Sequence, residues 1–232
     1  MGLIKAVIDI FDDLDMASKA HAISLLGAMA AYRCDFRSEI YQRHGLWWIV
    51  EMAERGRENE NICSSAGYAF VGFTEPHQWE MEEEIALLLA RGIKALLLCE
   101  FASAQRFAGL ALGNLVGKRE GAEFAEQASF FLYFLFLLSS SIVLQIMDNE
   151  MISHLVRLIA NSDVSVAMCC LNVFMHLLIH DEDFNYSKKL IATHGIPVLE
   201  NLCERVAEDQ EQHDAAFHLL TRLQAVNDGR TE

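Results

Sequence analysis

The chain has 232 residues, 53% of them hydrophobic, enough apolar material for one ordinary domain or a short repeat array. Its formal net charge of −15 excludes the broad basic surface that nucleic-acid phosphates demand. A basic peptide or basic protein surface suits that charge as a partner, and solubility is the plainer reading of it. Two prolines, glycines placed mainly between apolar helical runs, and scarce strand signals predict an all-α chain. Six cysteines lie within apolar helical runs without C-x-x-C pairing, which predicts reduced, buried thiols in a cytoplasmic or nuclear protein. No secretory leader is expected, because Asp9, Asp12 and Asp13 interrupt the first apolar run. Ala6 stands where a myristoylation motif needs Ser or Thr.

Along the chain, one kind of phrase recurs. It runs Gly2–Ile10, then Gly45–Val50, then Gly92–Leu98, with a weaker copy at Glu150–Ile159 and a strong one at Gly195–Leu202. The intervals are 43, 47, 58 and 45 residues. Recurrence at this period predicts a solenoid, whose units bury their apolar faces only by stacking. After each phrase comes a polar break and a second apolar helix: Ala22–Met29, Ala66–Phe73, Ala108–Val116, Cys170–Leu178 and Ala216–Leu223. Small residues lead these helices and permit close approach, while larger ones one and two turns on fill the layer between units. Pro197 falls near a helix start, where its missing N–H costs nothing.

This pairing resembles the armadillo repeat family. The resemblance spans nearly the whole chain and is best at Leu89–Leu97 with Phe107–Val116, and next at Ile191–Leu202. It implies three helices per repeat (a short one, a glycine turn, then the two described) and a right-handed superhelix of four to five repeats. The related HEAT repeat lacks that glycine turn. One domain over residues 1–232 is expected, with units near 1–31, 32–75, 76–121, 122–181 and 182–228. The first lacks its short helix and reads as a cap or truncated unit.

The long interval traces to an apolar insert, Ala128–Gln145, without which the spacing returns to the family period. Three readings stand. Residues 128–147 are uncharged and about long enough to cross a bilayer, though the flanks Glu123, Glu126, Asp148 and Glu150 are acidic. The insert equally fits a core helix, apolar all round. Its Phe, Leu, Ser, Tyr, Ile and Val are also the residues of T-rich codons, as a translated intron would give.

The resemblance further implies that third helices line a concave groove for a partner chain. Asn114 matches a family asparagine that bonds the main chain of an extended peptide, and the same slot holds Ala28, Gly72, His176 and Arg222. One turn earlier, where the peptide-binding members that read localisation signals carry Trp, stand Ser24, Tyr68, Leu110, Asn172 and His218. The Trp/Asn ladder is therefore absent apart from one Asn. The partner-binding residues expected are Tyr68, Asn114, Asn172, His176, His218 and Arg222. Trp47 and Trp48 point about 100° apart on one helix, so one is expected to be an exposed anchor or both to fill the N-terminal interface with Trp79. Glu80–Glu84 opens a helix where negative charge is favoured. Cys169, His176 and His180 share a helical stripe before Asp181, Glu182 and Asp183; the residue types suit a metal, but no second paired element exists, so no metal or cofactor is expected. No nucleophile elbow, P-loop, zincin helix or dinucleotide turn occurs. The expectation is a non-enzymatic adaptor or scaffold that binds a protein or peptide. A ubiquitin-ligase substrate adaptor and a transport factor are finer forms of it, and a membrane-anchored protein is the alternative.

Overall fold

A computed structural model describes residues 2–75, 82–117, 147, 149–179, 181 and 184–230. Among them are twelve α-helices and no strand. The chain divides into two compact units, Met1–Ile146 and Met147–Glu232. The first holds α1 (Leu3–Asp9), α2 (Met16–Tyr32), α3 (Cys34–Gln42), α4 (Gly45–Arg55), α5 (Glu60–Thr74), α6 (Glu83–Leu97) and α7 (Ala102–Gly117). The second holds α8 (Asn149–Asn161), α9 (Val164–Ile179), α10 (Asn185–Ala192), α11 (Gly195–Arg205) and α12 (Gln210–Asn227).

Two complete triplets, α3–α4–α5 and α10–α11–α12, follow the short–long–long order of an armadillo repeat. The turn from the first to the second helix is made by a histidine, not a glycine. His44 and His194 take φ of 64° and 63°, a left-handed conformation that histidine enters more readily than most residues. The glycine that follows each is needed for space. A Cβ at Gly45 would lie 2.8 Å from the Ile40 side chain, and one at Gly195 would lie 2.7 Å from the Leu190 carbonyl oxygen.

In the third repeat the expected glycine turn does not form. Gly92 lies inside α6, which runs unbroken from Glu83 to Leu97. The residues before it are Ala90 and Arg91, strong helix formers with no tendency to left-handed φ, so the first and second helices fuse. Gly92 is still required, because the Phe70 ring would stand 2.4 Å from its Cβ.

Four of the five third-type helices start at an Asx cap. The side chains of Asp15, Asn59, Asp163 and Asp209 accept from the amides of Ser18, Ile62, Val166 and Gln212 at 2.8 to 3.1 Å, each satisfying a donor the helix cannot. In the first unit these helices stack as α2 on α5 and α5 on α7, running parallel. Their contact is close: a Cβ at Gly27 would come within 2.5 Å of the Ala69 Cα, and one at Gly72 within 2.3 Å of the Gly27 carbonyl oxygen. Ile23, Leu26, Ala66, Phe70, Phe73, Leu89, Ile93 and Ala108 fill the core on the other side.

Helix ends are tied by arginine. Arg37, fully buried, donates from Nε to the Ala30 carbonyl at 2.6 Å and from Nη1 to that of Glu75 at 3.0 Å. It thereby clamps the last turn of α2 to the end of α5. In the second unit Arg205 donates to the carbonyls of Ile159, Ala160 and Ser162 at 2.7, 3.3 and 2.5 Å, closing α8.

Two measurements check this packing. Gly72→Ala forces a Cβ against backbone, and urea unfolding should show a loss of about 1–3 kcal/mol. Gly113→Ala meets nothing within 4 Å and should stabilise by about 0.5–1 kcal/mol; two equal effects would overturn the close-contact reading. Arg37→Met should cost about 1.5–3 kcal/mol for each charged hydrogen bond lost, while an unchanged unfolding midpoint would show that the clamp contributes nothing.

Candidate functional site

Each of the three third helices of the first unit exposes a large apolar side chain. Leu25 on α2, Tyr68 on α5 and Leu110 on α7 are 39%, 41% and 41% exposed. Because Gly27 lies level with Ala69, and Gly67 with Phe107, the three emerge within about one helical turn of each other. Tyr68 meets the Phe107 ring edge-on at 6.0 Å, and the Arg106 guanidinium lies 5.4 Å over that same ring. Asn114 is half-buried and reaches back one repeat, its Nδ2 donating to the Thr74 hydroxyl at 3.4 Å. That hydroxyl in turn donates to the Phe70 carbonyl at 2.9 Å. The asparagine thus braces two neighbouring third helices.

The remaining expected residues belong to the second unit. Asn172 is exposed on α9, and His218 is exposed and Arg222 half-buried on α12. His176 falls within the helical backbone of α9. Tyr68 and Asn114 are on adjacent packed helices of one unit, Asn172 and His176 on one helix, and His218 and Arg222 on another.

Charge is distributed unevenly. Helices α2, α5 and α7 contain one carboxylate between them, Glu60 at the first position of α5, and α9 contains none. Glu60 accepts from Ser103 at 3.4 Å. Carboxylates crowd instead onto first and second helices, where many are paired: Glu39 with Arg43, Glu51 with Arg55, and Glu54 with Arg91, at 2.9, 2.6 and 2.8 Å. The third helices of the first unit thus offer a basic partner one carboxylate among the described residues, while α12 in the second unit carries Glu211 and Asp214. Leu110, which the repeat alignment placed in the slot one turn before Asn114, and Leu25, which sequence reasoning did not select, are part of the third-helix face of the first unit; their exposure follows from which side of each helix the neighbouring repeat covers.

Trp48 stacks on Phe11 at 5.2 Å between ring centroids and fills the N-terminal interface. Trp47 is 39% exposed beneath the Arg91 guanidinium, 5.3 Å from its ring. Trp79, Glu80 and most of the apolar stretch 128–147 lie outside the described residues; Met147 is buried. Among the described residues no helix is long and apolar enough to cross a membrane.

The stripe ending at Asp181 has a structural use. Asp181 is buried and accepts from the amides of Tyr186 and Ser187 at 3.1 and 2.8 Å and from the Ser187 hydroxyl at 2.9 Å, which organises the start of α10. His180, Glu182 and Asp183 lie outside the described residues. Among those described, no group of three or more side chains could hold a metal ion.

No protein-family model and no curated protein matches this sequence. Among solved structures, the chain is similar to two engineered proteins from a structural genomics consortium, each with a TM-score of 0.52 and 13% identity. The match covers 97% of this chain and 98% or 100% of theirs. A designed armadillo repeat protein aligns at a TM-score of 0.46 and 14% identity over 95% of this chain and 99% of that one. The engineered pair shows the fold alone. The helix triplets, their turns and the stacked third helices make this chain an all-α solenoid of armadillo-like repeats.

Proposed function

We propose that this protein is a non-enzymatic binding module. Its third-helix face in the first unit receives a segment of a partner protein. The observation that carries this reading is the exposure of Leu25, Tyr68 and Leu110 on three packed helices that together hold a single carboxylate. A few anchors, tyrosine and arginine prominent among them, supply most of the free energy of a typical interface, and Tyr68 and Arg106 stand beside the two leucines. The favoured partner segment inserts apolar side chains and places a carboxylate near Arg106, in preference to a basic peptide. An adaptor that presents substrates to a ubiquitin ligase and a transport factor would both use such a face, in cytoplasm or nucleus. In the second unit, Asn172 on α9 and His218 and Arg222 on α12 are proposed separately as contacts of that unit's own third helices.

A benzophenone amino acid placed at Tyr68 or Leu110 should give a discrete cross-linked product in cells, while one placed at exposed Arg55 on α4 should not. Leu110→Glu should weaken capture of that product at least about tenfold, equivalent to about 1.4 kcal/mol, with helical content unchanged by circular dichroism. Equal cross-linking from Arg55, or capture unaffected by Leu110→Glu, would overturn the assignment.

A further inference from the structure

Helix α2 has an exposed side built like the packed sides of its neighbours. Ala17, His21, Leu25, Ala28 and Tyr32 are all exposed. Their spacing of four, four, three and four residues places them within an arc of about 80°, opposite the buried Ala22, Ile23, Leu26 and Ala30. The repeat register identifies this side. Leu25 and Ala28 stand where α5 has Ala69 and Gly72, and both of those meet Gly27 of α2. Ala17 and His21 stand where α7 has Ser103 and Phe107, which meet Ser64 and Gly67 of α5. The stripe therefore holds the positions by which one third helix receives another, and in α2 they are exposed. Tyr32, at 78%, is the most exposed large apolar residue among those described.

Two features select what covers it. The first is the order of sizes. A second α2 laid antiparallel brings Ala17 opposite Tyr32 and His21 opposite Ala28, with Leu25 of the two copies side by side at a twofold axis. Small residues then receive large ones on both flanks of that axis, as a self-complementary patch requires. The second feature is charge. Asp12, Asp13 and Asp15 gather at the start of α2, and Arg33 stands at its end. Antiparallel packing sets Arg33 of one copy beside Asp15 of the other, whereas parallel packing would set acid against acid. Arg33 bonds Asp35 through Nε and Nη2 at 2.8 Å, which leaves the N–H groups of Nη1 for a second carboxylate. The antiparallel helix dipoles also attract.

We propose that the exposed side of α2 is a self-association surface, at which two copies of this chain pair antiparallel through Ala17, His21, Leu25, Ala28 and Tyr32. A helix about 25 Å long and about 10 Å wide offers less than the roughly 800 Å² per partner of a standard interface. The dimer is therefore reversible and forms in the micromolar range. Pairing covers Leu25 and leaves Tyr68 and Leu110 open on α5 and α7, so this surface does not depend on the partner-binding face proposed above.

The test is sedimentation equilibrium of the full chain at concentrations on the order of 1 to 100 µM. The expected result is a monomer–dimer equilibrium that Leu25→Glu and Tyr32→Ser each weaken at least about tenfold, with helical content unchanged by circular dichroism. Phe217→Glu on α12 and Leu110→Glu on α7 should leave it intact. A benzophenone amino acid at Ala17, in a mixture of ordinary and nitrogen-15 copies, should cross-link to the peptide of the other copy that contains Tyr32. The proposal is overturned if the wild-type chain stays monomeric throughout, or if the dimer persists in both Leu25→Glu and Tyr32→Ser. A cross-link from Ala17 to an α12 peptide of the other copy would overturn it in favour of head-to-tail contact.

Discussion

Helix α5 approaches α2 so closely that a Cβ at Gly27 would collide with Ala69, and one at Gly72 with the Gly27 carbonyl. Backbone-to-backbone contact of this kind brings two helices nearer than larger residues allow. Much else in the first unit follows from it. The large residues of α5, Phe70 and Phe73, are driven to the opposite side, where they meet α4 and α6 and form the core. Phe70 in turn sets the limit at Gly92. One face of the stack is left with little to cover it, and Leu25, Tyr68 and Leu110 remain open there.

In a chain with a net charge of −15, the third helices of the first unit hold one carboxylate, Glu60. Acids on its first and second helices enter exposed ion pairs, Glu39 with Arg43, Glu51 with Arg55 and Glu54 with Arg91, which contribute little each to stability. Helix ends that would leave carbonyls bare are met by Arg37 and Arg205. Charge in this protein therefore secures ends and surface, while apolar packing secures the stack.

By itself the sequence determined the helical class, the repeat and the small-then-large order of the third helices. These are local periodicities, and each repeat writes them again. Exposure at Tyr68, Asn172 and His218 followed from that alignment. Several features did not follow. Gly92 looks like Gly45 in a one-line comparison, yet only a residue able to enter left-handed φ ahead of the glycine makes the turn, so Arg91 continues a helix where His44 and His194 break one. Asn114 was legible as a third-helix polar residue, but its bond to Thr74 depends on how far α5 and α7 are offset. Leu110 was legible as the groove slot one turn before Asn114, but the exposure of Leu25 was not, because amphipathic pattern marks an apolar side without saying whether a neighbour covers it. Tertiary structure decided these points, because exposure and close approach are set by the distances between helices, and periodicity along one helix carries no information about those distances.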